Sequence, residues 1–206
     1  MILLLAITVT GFIPLSGQGT GTPDNPYQIS SLQQLQDMKE DLSAHYILVS
    51  DIDASETAGW NDGAGFIPIG DNNNPFTGSL DGQGYTITGL YINRPASNML
   101  YNGLFGYLSE GTVSDLSIYD VDITGGGWYS GAVAGANDGG TISGVSTSGI
   151  IAGDYRMGGI VGINKGLVKN SHSSTVINGN NDLGGLVGCN DHGGIVKSSY
   201  STGSIS

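Results

Sequence analysis

The chain repeats itself, and the repeat is short. Four segments share one pattern, NGLFGYL at 102–108, GAVAGAN at 131–137, GGIVGIN at 158–164 and GGLVGCN at 184–190, and their marker glycines Gly106, Gly135, Gly162 and Gly188 are 29, 27 and 26 residues apart. A β-rich run follows each marker (TVSDLSI, TISGVST, LVKNSHS, IVKSSYS), with Val113, Ile142, Val168 and Val196 spaced by 29, 26 and 28. A unit of this size cannot bury its own apolar face, so it has to stack on its neighbours. Strands of successive turns then run parallel about 4.8 Å apart, and equivalent residues form straight ranks. The expected ranks are Leu104, Val133, Ile160, Leu186 and, beside it, Leu116, Val145, Ser171, Ser199. The second becomes polar, and its buried hydroxyls need partners, for which the neighbouring rung is the first choice. Ile87 lies 26 residues before Val113, and GFIPIG puts Gly70 at the marker position one turn earlier, so the array is expected to begin before the obvious motif, with an insertion between Gly70 and Gly106.

Composition agrees with a stacked β architecture. Gly supplies 36 of 206 residues without a three-residue period, and Pro only 6, which excludes a collagen helix. Much of that Gly belongs to bends, where positive φ or close backbone contact leaves no room for Cβ. With 12% charged and 38% hydrophobic residues the chain can bury enough apolar surface to stay ordered. A net charge of -12 argues against nucleic acid as partner. The charge is uneven: residues 1–125 hold 14 acidic and 2 basic side chains, whereas 126–206 hold 4 of each. Cys189 is the single cysteine and has no internal disulfide partner; in its rank it replaces Tyr107, Ala136 and Ile163, a packing position.

The N-terminal stretch MILLLAITVTGFIPL is apolar and is followed by small polar residues, the pattern of a signal-peptide core, although it lacks the basic n-region. Residues 1–19 are therefore expected to be a signal peptide, the alternative being an apolar first strand. The stretch is shorter than the roughly 20 residues a membrane helix requires, so no span is expected in the mature chain. Residues 20–206 form the expected solenoid domain, with a cap and opening turns over 20–98 and repeats over 99–206. In SLQQLQDMKEDL, Leu32, Leu35, Met38 and Leu42 recur at helical spacing, and either Ser31 with Gln34 or Ser30 with Gln33 has the capping-box form. Asn137, Asn164 and Asn190, each two residues after a marker, predict an amide ladder along the stack.

GGLVGCN resembles the GLUG repeat, named for its G-L-hydrophobic-G core and found in extracellular bacterial and archaeal surface proteins. NGLFGYL and GAVAGAN depart from that core and rest on spacing. The upstream GTPDNPYQISSLQQLQDM, YILVSDID, GFIPIG and FTGSLDGQGYTITGLYI resemble the N-terminal part of such proteins, so the similarity extends over about residues 20–206. It implies an all-β fold, a right-handed parallel β-helix with a short N-terminal capping helix, in a secreted or surface-attached module. It brings no catalytic residues with it.

Parallel β-helices also include polysaccharide lyases and hydrolases, whose chemistry needs converging carboxylates at matching positions of neighbouring turns. The ranks do not supply them. Asp115 is followed by Gly144, Asn170 and Ser198, His172 aligns with Tyr200, and His45 and His192 have no evident partner. Asp51, Asp53, Asp62, Asp71, Asp120 and Asp122 offer oxygen ligands of the kind calcium takes, but no EF-hand or nine-residue calcium repeat frames them, so neither a metal nor another cofactor is expected. The ligand-binding candidates lie seven and six residues before the markers: Met99, Trp128, Tyr155, Asn181 and Leu100, Tyr129, Arg156, Asp182. Trp128, Tyr129, Asp154, Tyr155, Arg156 and Asp182 should share one edge, suited to a glycan or a peptide of a neighbouring or host surface protein. The structural alternative is a set of tall loops covering that edge. The expected function is a structural or adhesive module without catalysis, the alternative being a β-helix polysaccharide lyase or hydrolase. SSYSTGSIS stops within a repeat, which suggests further repeats or a capping domain beyond it.

Overall fold

The computed structural model describes residues 19–95 and 101–206; the expected signal peptide, together with Met99 and Leu100, lies outside them. The fold is a β-solenoid built from four parallel sheets and one short α-helix. Sheet I stacks seven strands: Tyr27–Ile29, His45–Leu48, Ser79–Asp81, Thr112–Ser114, Thr141–Ser143, Leu167–Lys169 and Ile195–Lys197. Sheet II is longer in its middle turns, where Ser117–Gly125 pairs with Ser146–Gly153 along most of its length. Sheet III holds Tyr101–Asn102, Tyr129–Gly131, Tyr155–Gly158 and Asn181–Gly184; sheet IV holds Phe105–Ser109, Ala134–Asp138, Val161–Asn164 and Val187–Asn190. Through the repeats the chain passes from IV to I, II, III and back to IV.

The register puts the expected ranks in place. Val113, Ile142, Val168 and Val196 are successive partners in sheet I. The hydroxyls of the second rank are satisfied: Ser171 Oγ accepts from Val145 N at 3.2 Å and donates to Lys169 O at 2.7 Å, and Ser199 Oγ accepts from Ser171 N at 3.1 Å. The Asn ladder forms as well. Asn137 Nδ2 donates to Asn164 Oδ1 at 2.8 Å, and Asn164 Nδ2 to Asn190 Oδ1 at 2.8 Å.

Two alignments differ from the sequence-based expectation. Val113 pairs with Leu80, while Ile87 pairs with Ile52 and Ile118 in sheet II, so the 26-residue spacing between Ile87 and Val113 is a coincidence of two different sheets. Gly70 does sit at the marker position, since Ile69 bridges Phe105; Phe76 then bridges Leu108, so residues 71–75 form an outward turn between two core positions. In the first repeat three steps separate Asn102 from Phe105, where four separate their partners Ser130 and Ala134. That corner is one residue shorter, and Tyr101, not Leu100, is the partner of Tyr129.

The marker glycines have ordinary negative φ; what they require is space. A Cβ on Gly162 would lie 2.6 Å from Ser130 N, and one on Gly188 would lie 2.5 Å from Arg156 C. Sheets III and IV therefore meet backbone to backbone, which fixes the edge that sheet III presents. At the N-terminal end the helix Leu32–Asp37 continues as a 3-10 turn, Met38–Glu40, shorter than the hydrophobic period suggests. Ser31 is the cap, accepting from Gln34 N, but the Gln34 amide oxygen accepts from Ser30 N at 2.8 Å, one residue before the position a capping box uses. Leu35 and Met38 close the core, and buried Gln36 holds the following loop through two bonds to Ile67, each 2.9 Å.

Candidate functional site

Sheet III and the loops before it form a narrow edge on which equivalent side chains stack turn upon turn. Its first rank is Tyr101, Tyr129, Arg156, Asp182. Tyr101 and Tyr129 stack with centroids 5.0 Å apart and planes 11° from parallel. The Arg156 guanidinium lies 5.4 Å from the Tyr129 centroid, donates to Tyr129 Oη at 2.9 Å, and reaches Asp182 Oδ2 from Nε at 3.2 Å. One ring is thus covered on both faces, by an aromatic and by a cation. Beside this rank Trp128 and Tyr155 stack at 5.7 Å and 23°. They are 50% and 43% exposed. Asp154 accepts from Asn180 Nδ2 at 2.6 Å, adding a polar rung next to Tyr155.

All six candidates therefore come together: the side chains of Trp128, Tyr129, Tyr155, Arg156 and Asp182 touch in sequence, and Asp154 flanks them. The stacking decides what this edge can do. The solenoid axis runs through the ring faces, so those faces are largely spent on one another, and what faces outward is ring edge, phenol hydroxyl, guanidinium, carboxylate and amide. Arg156 and Asp182 have φ of 49° and 53°, left-handed values that carry a cost for residues with Cβ. Such strain is a pointer to function only when it is special to the site. Here the rank Asp115, Gly144, Asn170, Ser198 shares it, with φ between 48° and 64°, so the left-handed corner is a general device of this solenoid.

Tyr101 and Tyr107 were not among the sequence candidates, yet both belong to the site. Tyr107 stands edge-on to Tyr101 at 5.2 Å and donates to Asp138 Oδ2 at 2.7 Å. Between Tyr107 and Ile163 the rank contains Ala136, and the missing bulk leaves a notch of about 40 Å³ walled by Tyr101, Tyr107, Tyr129 and Lys165. Burial and the bond to Asp138 push the Tyr107 phenol far above its ordinary range, and burial, with Tyr129 and Asp138 nearby, raises Tyr101. Both hydroxyls remain donors at neutral pH. The signal that could have found Tyr101 was its place one residue before the NGLFGYL segment, which the constant-spacing assumption hid.

The acidic loops have local work. Asp51 Oδ1 accepts from Thr86 N at 2.8 Å, Asp53 Oδ1 from Ser55 N at 2.9 Å, and Asp71 Oδ1 from Asn73 N and Asn74 N at 2.7 and 2.9 Å. Among the described residues no three His, Cys, Asp or Glu side chains converge as a metal site. His45 does have a partner, Ser79 Oγ at 2.7 Å, and His192 contacts Asp191 at 2.6 Å; His172 stacks on Tyr200 at 5.3 Å. None of these pairs has a third group beside it that would make a nucleophile and base.

The GLUG motif matches residues 179–206, so the chain carries this motif in its last described turn, around GGLVGCN. Halomucin of Haloquadratum walsbyi is 42% identical over 152 residues, 70% of this chain. A putative Gly-rich membrane protein of Evansella cellulosilytica is 40% identical over 126 residues, 59% of this chain. The chain spans only 2% of the first relative and 14% of the second. Among solved structures, a putative immunoglobulin A1 protease from Bacteroides ovatus aligns with a TM-score of 0.64 and 17% identity, over 92% of this chain and 70% of that one. At that identity the likeness concerns the fold. Among the described residues no helix is long and apolar enough to cross a membrane.

Proposed function

We propose that this chain is a stacking module of a secreted or cell-surface protein, structural and adhesive rather than catalytic, whose sheet III edge binds extracellular glycan. The observation that carries this reading is the continuous edge from Tyr101 through Tyr129 and Arg156 to Asp182, with Trp128 and Tyr155 half exposed beside it. Core packing has no use for an exposed Trp over a salt-bridged Arg. A ladder of ring edges and hydrogen-bonding groups at one spacing suits a polymer of hydroxyls that repeats along the same axis. The similarity to proteins named as a halomucin and a membrane protein supports a surface location.

The test is binding of the whole chain to a panel of soluble cell-wall and mucin-type glycans, with turnover followed in the same samples. The edge reading expects binding without turnover and a loss of about tenfold or more in Trp128→Ala, some 1.4 kcal/mol. Equal binding by Trp128→Ala would remove the edge as the site, and cleavage of any panel member would replace the module by an enzyme.

A further inference from the structure

A cleft of about 730 Å³ opens between the capping helix and the opening turns, distinct from the sheet III edge but touching its end. Lys39, Glu40, Asp71, Asn72, Arg94 and Tyr101 are among the residues that line it. The first 125 residues carry 14 acidic side chains and only two basic ones, Lys39 and Arg94, and both of those face this cleft. Their situations differ. Lys39 Nζ has Glu40 at 4.0 Å, and Asp71 turns its Oδ1 to the amides of its own loop. Arg94 donates from Nε to Phe66 O at 3.4 Å and has no carboxylate within 4.0 Å among the described residues, which include every Asp and Glu of the chain.

A half-buried guanidinium without a counterion carries its desolvation cost uncompensated, and burial accordingly lowers its pKa. In a strongly acidic neighbourhood an unpaired cation is the exception. Its planar fork matches a carboxylate with two parallel hydrogen bonds. Tyr101 stands at the near end of the ring stack and lines the cleft, and the Asn72 to Asn74 turn adds amides that bond hydroxyls. The floor is preformed, since Gln36 fixes Ile67 through both of its amide atoms. The volume suits a short stretch of sugar units rather than a folded partner.

We propose that this cleft binds a carboxylate-bearing sugar of the uronate class, with the carboxylate on Arg94, the sugar ring against Tyr101 and hydroxyls on the Asn72 to Asn74 amides. The site lies apart from the sheet III edge and shares with that reading only the class of partner, so the two are separable by variant.

The experiment titrates the whole chain with hexagalacturonate, neutral cellohexaose and hexaglutamate, by calorimetry and by NMR of the Arg94 Nε–H. The proposal expects hexagalacturonate alone to bind, to shift the Arg94 Nε–H, and to weaken at least about tenfold in Arg94→Gln, with partial recovery in Arg94→Lys and no change in Trp128→Ala. Absence of hexagalacturonate binding at about 5 mM overturns it, as does equal binding of either other probe or an unshifted Arg94 Nε–H in the wild type. Should Arg94→Gln fail to fold, the wild-type shift decides. Loss in Trp128→Ala but not in Arg94→Gln would leave the edge reading standing and remove this one.

Discussion

Asn164 is the residue on which the stack is most clearly a hydrogen-bonded object. It is fully buried, accepts from Asn137, donates to Asn190, and bonds the backbone of Gly166 on both sides of its amide. The ladder has a direction: its first oxygen, Asn137 Oδ1, has no partner, because the next rung back is Leu108, which offers no donor. Removing the middle rung leaves two further buried groups unsatisfied, each costing about 1–3 kcal/mol. Asn164→Ala is therefore expected to lose about 2–4 kcal/mol in urea denaturation, and Asn190→Ala, on the exposed last rung, distinctly less. Equal losses would mean that the ladder is surface decoration. The left-handed corner at Asp115, Gly144, Asn170 and Ser198 belongs to the same scale: Gly, Asn and Asp recur there because they tolerate that conformation, which accounts for the acidic residue without invoking a ligand.

Among elements, the sheet III edge shows both what sequence reveals and what it hides. Its phenols make a pH prediction. Tyr107 is held protonated in the fold, so between about pH 10 and its raised folded value the unfolded chain has lost a proton that the folded chain keeps. The contribution is fully present below pH 10 and is lost as pH rises. Thermal melts should fall more steeply above about pH 10 in the wild type than in Tyr107→Phe, and superimposable alkaline limbs would contradict the assigned bond to Asp138. The ranks from Gly135 onward were legible because 26 to 29 residues per turn left little freedom, and Trp128, Tyr155, Arg156 and Asp182 followed from counting back from the markers. Counting failed where turn length changes. One residue less between Asn102 and Phe105 moved Tyr101 into the ladder, and the 71–75 excursion let Ile87 mimic a rung of the wrong sheet. The Arg94 cleft could not have been read at all, since it joins residues 39, 71, 94 and 101 from four separate segments.

As a whole molecule the chain has two ends of different character. The capping helix and opening turns bury large side chains such as Tyr46, Phe66, Phe76 and Phe105, with Phe76 and Phe105 4.6 Å apart. Towards the other end the interior becomes small and polar, with Ser173 and Thr175 bonded to one another at 2.9 Å, and Ile195 and Tyr200 on the last turn are 54% and 60% exposed. The glycines, the ranks and the edge all follow from one claim, that each turn lies on the last in a single register. The lone cysteine allows a direct test. Ile163 and Cys189 are partners in adjacent strands of sheet IV, and partners across a parallel pair lie within disulfide reach. Mild oxidation of Ile163→Cys, followed by peptide mass spectrometry, should give an intrachain link to Cys189 and a mass lower by about 2 Da, whereas Lys165→Cys should not link. A free Cys189 in oxidised, folded Ile163→Cys, or efficient linkage to residue 165, would contradict the register on which the whole account rests.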